Sequence, residues 1–149
     1  MADIVVGVDG SESSQLAIQW AYDEAAIRGE RLRLVCAYQT PAGWLGMGEA
    51  LGSAVTATVS DDDLKAYSAS TIDEALQAID QHASVEIIVD PRPGHPADVL
   101  IAASADADLL VVGNRGHGDI GSVLLGSVGM HCVHHAICPV VVVPHAPKG

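Results

Sequence analysis

The stretch "DLLVVGNRGHGDIGSVLLGSVG", Asp108 to Gly129, opens as an unbroken apolar run and then enters a turn of unusual composition. Six of the seventeen residues from Gly113 to Gly129 are glycine. An apolar run too continuous to alternate faces suits a strand covered on both sides, and a glycine-rich turn after it suits the link from such a strand to a helix. Four more runs of this kind surround it: "IVVGVD" from Ile4, "LRLVCAY" from Leu32, "VEIIVD" from Val85 and "PVVVVP" from Pro139.

The segments between the runs read as helices. Ser13 to Arg28 places Leu16, Ala17, Trp20, Ala21 and Ile27 largely on one face, with Gly29 at the stop position. Asp61 to His82 follows a capping box, Ser60 with Asp63, and carries a stripe of Leu64, Tyr67, Thr71, Ala75 and Ile79. A short helix is expected from Pro96 through "ADVLIAAS", and a last one from about Val123 to His135. Strand and helix alternate, which predicts an α/β fold: a doubly wound, open, five-stranded parallel sheet with helices on both faces. Such sheets bind ligands beyond the carboxyl ends of their strands, where the glycine-rich turn falls. Gln39 to Ser60, Gly- and Ala-rich and without a clear period, is expected to be a long loop.

Composition narrows the function. The 149 residues suit a single domain, 1–149, and 49% hydrophobic content suffices for a core. Nineteen Asp and Glu against seven Lys and Arg give a formal charge of −12, which opposes nucleic acid as a partner. The leading residues lack a basic n-region, and no segment approaches the length of a membrane span, so a soluble, cytoplasmic protein without a membrane partner is expected. Cys36, Cys132 and Cys138, odd in number, read as ordinary thiols.

Two familiar phosphate motifs are imitated and rejected. Gly116 to Gly121 spells GxGxxG, but no acid follows Asp119 to hold a ribose, so a dinucleotide fingerprint is excluded. Gly121 to Ser127 imitates a P-loop without its lysine, which removes support for efficient nucleotide hydrolysis. What survives is a flexible turn ahead of a helix whose backbone N–H groups can face an anion. Its alternative role is to shape a strand-to-helix connection and nothing more.

Gly113-x2-Gly116-x9-Gly126-Ser127 resembles the nucleotide-binding signature of the universal stress protein family. The likeness extends from "IVVGVDGSESS" through "GHPADVLIAASADADLLVVGNRG" to the run ending at Pro144. It implies strand order 3-2-1-4-5, a homodimer pairing through Val140 to Val143, and regulation in the stress response rather than turnover. It implies an adenine nucleotide as ligand, with ATP first among the candidates, alone or with Mg. Gly7, Val8 and Asp9 would lie near adenine and ribose, and Ala37 would wall the base. Val112, Gly113, Arg115 and Gly116 would cradle ribose and phosphates from one side, and Gly126, Ser127 and Val128 from the other.

The residues have their own chemistry for these roles. Asp9 can accept from ribose hydroxyls or cap the following helix. Ser127 can offer a hydroxyl and an N–H to phosphate, or cap its helix. Arg115, the only Lys or Arg between Arg92 and Lys148, is either the cationic partner of phosphates or a solvated loop residue. Asp119 and Gly129 depart from the family pattern in a way that disfavours a triphosphate, so AMP and cyclic nucleotides stay in view. His131 and His135 are four apart on the last expected helix, with His134, Cys132 and Cys138 nearby, but that spacing alone is a weak zinc signal and no paired-Cys motif accompanies it. Two other readings remain open: slow ATP hydrolysis with Asp9 or Asp119 positioning metal and water, and a nucleotide-free interaction dimer.

Overall fold

A computed structural model gives the architecture; it describes residues 2–39, 60–115 and 125–145. Five strands and four helices alternate: β1 (Asp3–Gly7), α1 (Glu12–Arg28), β2 (Arg31–Tyr38), α2 (Asp61–Gln77), β3 (Ile87–Pro93), α3 (Pro96–Ser104), β4 (Leu109–Gly113), α4 (Ser127–His135) and β5 (Val140–Val143). All pairings are parallel, in the order β3-β2-β1-β4-β5. The expected fold and strand order are therefore present. Residues 40–59 of the expected long loop lie outside the described residues. No described helix is long and apolar enough to cross a membrane.

The sheet is apolar on both faces because successive side chains point to opposite sides. Ile4, Val6, Leu32 and Leu34 pack with Ala17, Ile18, Ala21 and Tyr22 of α1 and Ile72 of α2. Val5, Val35, Leu110 and Val112 pack on the other side with Val99, Leu100 and Ala103 of α3 and Cys132 of α4. At the amino end of the sheet, the buried Asp3 carboxylate accepts from Arg31 Nε at 2.6 Å and pairs with the Arg33 guanidinium, tying β1 to β2 in register. A buried charge is tolerable there because both partners meet it directly.

Four details differ from the sequence expectation. In α1 the buried positions are Ser13, Ser14, Ala17, Ile18, Ala21, Tyr22 and Ala25, while Leu16 is 42% and Ile27 80% exposed. In α2 the buried residues are Ser68, Ile72 and Ala75, and Tyr67 is exposed. Beside Ile18, Tyr22 and Ile72, both helices turn small residues toward the sheet, Ala17 and Ala21 as expected and Ser13, Ser14 and Ser68 besides, and Ser68 Oγ donates to the Cys36 carbonyl at 3.0 Å. Helix α2 stops at Gln77 rather than His82, because side chains of α1 hold the segment that follows. Gln19 Oε1 accepts the Asp80 N–H at 2.7 Å, and the Tyr22 hydroxyl bonds to both the N–H and the carbonyl of Ala83. Finally, β3 begins at Ile87 and runs on through Pro91 and Pro93.

Those prolines stand at one edge of the sheet. Leu32 N–H donates to Glu86 O, and Gly94 N–H to Tyr38 O, so the even-numbered peptide groups of β3 face β2. Alternation turns the odd-numbered ones outward, and Pro91 and Pro93 remove two donors from that open side. At the other edge, Leu110 N–H donates to Pro139 O and Asn114 N–H to Val143 O. Val141 and Val143 therefore face β4, while Val140 and Val142 turn unblocked N–H and C=O groups outward.

Candidate functional site

Strands β1 and β4 lie side by side at the centre of the sheet, and both crossovers that leave them open a cleft at their carboxyl ends. The cleft measures about 190 Å³ and is lined from four directions. Gly7, Val8 and Asp9 extend from β1, Ala37 from β2, Val112, Gly113 and Arg115 from β4, and Gly126, Ser127 and Val128 open α4. Ten of the eleven sequence-predicted site residues are thus brought together; Gly116 lies outside the described residues, as do His117 and Asp119.

The local structure explains how each is placed. Gly126 is extended, with φ −67° and ψ 168°, and forms the N-cap of α4 without any side-chain capping bond. The described helix therefore begins at Ser127, later than the expected Val123, because the extended Gly126 precedes its first turn. Ser127 occupies the first helical position and does not cap. The N–H groups of a first turn have no partners inside their helix, so this end presents donors and a partial positive charge to the cleft.

Asp9 does not cap α1 either. Ser11 is its N-cap, accepting Ser14 N–H at 3.1 Å, and Asp9 Oδ1 accepts from Ser11 N–H at 2.9 Å and Ser11 Oγ at 2.5 Å. The carboxylate thus orders the β1–α1 turn and stands at the cleft rim. Arg115 is the only Lys or Arg among the described lining residues. Its backbone N–H donates to Ser13 Oγ at 3.2 Å, and its guanidinium meets Nδ1 of His145.

Glycine at 113 has a second reason to be there. A Cβ on Gly113 would stand 2.8 Å from the Ser13 carbonyl oxygen and 2.9 Å from its carbon, so the missing side chain admits the first turn of α1. At Gly129 a Cβ would stand 2.6 Å from Leu125 Cδ1. Ser14, Val35, Pro96 and Leu100 also line the cleft and were missed by sequence reasoning; Gly129, read there as a departure from the family pattern, lines it too. For Pro96 a signal existed: it opens a crossover helix at the same end of the sheet.

The family model for universal stress proteins matches residues 1–144. The chain belongs to the universal stress protein family. Universal stress protein Rv1996 of Mycobacterium tuberculosis is 32% identical over 154 residues, covering 97% of this chain and 49% of its own. The chain spans about half the length of the curated relatives it matches. Universal stress protein UspA from Lactobacillus plantarum has the same fold, with a TM-score of 0.73 at 23% identity over 95% of this chain and 97% of that one. A universal stress protein solved in complex with cAMP gives a TM-score of 0.60 at 30% identity over 95% of both chains.

In this universal stress protein the three cysteines are free thiols. Burial pushes the Cys132 thiol up to about 11, and burial likewise raises Cys36 and Cys138, so none is poised as a nucleophile at neutral pH. His131 and His135 are exposed on α4 with ring centroids 6.1 Å apart. Among the described residues, no group of three His, Cys, Asp or Glu side chains could hold a metal ion.

Proposed function

We propose that this universal stress protein chain forms a regulatory domain that binds an adenine nucleotide in the cleft at the carboxyl ends of β1 and β4. The observation that carries the reading is the convergence of the uncapped α4 N-terminus and Arg115 on one cleft whose other wall is apolar. An anion is favoured where unpaired N–H donors and a guanidinium meet, and the apolar wall of Val8, Val35, Ala37 and Leu100 suits a base. In this reading Asp9, which lines the cleft, accepts from ribose hydroxyls. The related protein in complex with cAMP supports an adenine ligand of this kind.

ATP, alone or with Mg, AMP and cyclic AMP share the chemistry the cleft recognises. Calorimetric titration of nucleotide-stripped protein with ATP and Mg²⁺, AMP, cAMP and GTP, with phosphate release followed in the same samples, tests the proposal. Adenine-selective binding with negligible phosphate release is expected. Equal binding of GTP would remove the assigned base pocket, and steady phosphate release would turn the reading toward hydrolysis.

The domain is further proposed to form a homodimer by pairing β5 with its symmetry mate. Val140 and Val142 turn their peptide groups to the open edge, and nothing in their side chains blocks a partner strand. Val142→Pro removes an outward N–H while leaving the β4–β5 bonds made by Val141 and Val143 intact. Sedimentation should show the variant as a monomer with an unchanged far-ultraviolet spectrum; a persistent dimer would exclude this edge.

A further inference from the structure

One residue that the signature passes over, Asn114, sits between Gly113 and Arg115 without lining the cleft. Four hydrogen bonds converge on it. Its backbone N–H donates to Val143 O at 3.2 Å, and its carbonyl accepts the Gly126 N–H at 2.7 Å. Its side-chain Oδ1 accepts the Ser13 hydroxyl at 3.2 Å and the His145 N–H at 3.0 Å. Because a hydroxyl and a peptide N–H both donate to it, this atom is the amide oxygen and not the nitrogen.

The two groups held by Oδ1 also both bond to Arg115. Ser13 Oγ, donating its proton to Asn114, keeps a lone pair for the Arg115 N–H at 3.2 Å. His145, fixed through its backbone by Asn114, receives the Arg115 guanidinium on Nδ1. A guanidinium only donates, so Nδ1 is the accepting nitrogen; the imidazole proton stands on Nε2, 3.3 Å from Glu12 Oε2. One amide oxygen thereby sets both the backbone and the side chain of the only Lys or Arg among the described cleft residues.

We infer that Asn114 is a positioning residue for the phosphate end of the site, acting through Ser13 and His145 on Arg115. The inference rests on the proposed nucleotide cleft and adds to it the element that fixes where its cation stands. A cation that must meet a phosphate gains little from proximity unless its direction is fixed beforehand. The network supplies that direction from α1 and from the chain following β5.

The test is a double-mutant cycle read by AMP titration of the wild-type chain, Asn114→Ala, Arg115→Ala and the combination. Each single variant is expected to weaken AMP about tenfold, the loss of one charge-assisted contact. The combined variant should be no weaker than Arg115→Ala within about twofold, because Asn114 acts through a guanidinium that is no longer there. Multiplying losses would overturn the inference and leave Asn114 a purely structural residue, as would unaltered AMP affinity in Asn114→Ala. Should Asn114→Ala fail to fold, Ser13→Ala breaks the same route at its next link and must show the same dependence on Arg115. Where the wild-type chain takes ATP or cAMP rather than AMP, the cycle is run with that nucleotide; a wild type that binds none of the three would refute the cleft assignment itself, an outcome distinct from a wild type that binds while the variants do not couple.

Discussion

Gly126→Asp is expected to abolish nucleotide binding while making the protein slightly more stable. The two effects have one origin. Gly126 has the extended backbone of an N-cap and carries no side chain to satisfy the first turn of α4. Asp is among the best N-cap residues: its carboxylate accepts from first-turn N–H groups and sits favourably at the positive end of the helix dipole. A gain of a few tenths of a kcal/mol, about 1 °C in Tm for a chain of this length, should follow. The same carboxylate occupies the donors that a phosphate would use and repels the phosphate at close range, so AMP affinity should fall by about 100-fold or more. Gly126→Asn, a cap without charge, separates the contributions and should bind AMP at an intermediate level. Unaltered affinity in Gly126→Asp would place the anion elsewhere. A loss of affinity joined to a fall in Tm would mean damage to α4 rather than competition for it.

Gly113→Ala should act the other way, through the fold. The added Cβ meets backbone atoms of Ser13 at 2.8 and 2.9 Å as well as the Ser13 hydroxyl, and a backbone cannot rotate aside as a side chain end can. Either α1 or β4 must shift, at the overpacking cost of about 3 kcal/mol, or roughly 6–9 °C in Tm. Combining it with Ser13→Ala removes the hydroxyl contact and leaves the carbonyl one, so thermal melts should show only partial recovery. A Tm unchanged from wild type would mean that the α1–β4 packing yields freely. The two glycines of one signature thus answer to different demands: at 126 the free helix end is what a ligand would meet, and at 113 the first turn of α1 needs the space.

How legible each feature was follows from the range of the interactions behind it. Strands β1, β2, β4 and β5 announce themselves as apolar runs because both faces of the sheet are covered, and caps such as Ser60 with Asp63 are local and readable. The end of β3 was not: the apolar run from Val85 stops at Asp90, whereas the strand continues to Pro93, because at an outward-facing edge position a proline forfeits no ladder bond. The stripes read for α1 and α2 hold at Ala17, Ala21 and Ala75, which are buried, and fail at Leu16, Ile27 and Tyr67, large apolar residues that are exposed, while the buried Ser13, Ser14 and Ser68 carry no apolar signal. In the site, the β1 turn, Arg115 and the opening of α4 were found because each ends or begins a recognisable element. Asn114 was not found, since Ser13 and His145 lie 101 and 31 residues away in sequence and nothing local to Asn114 points to either.

The unequal edges of the sheet carry a consequence for aggregation. Growth of sheets into ribbons requires each molecule to offer two competent edges, one to receive and one to extend. Here Pro91 and Pro93 disable one side, while Val140 and Val142 leave the other able to bond. Any edge-to-edge association is therefore self-terminating: once two copies have joined through their open sides, only the blocked sides remain. Such a chain can keep a strand of four half-buried valines at its sheet edge without the hazard of propagating into a fibre.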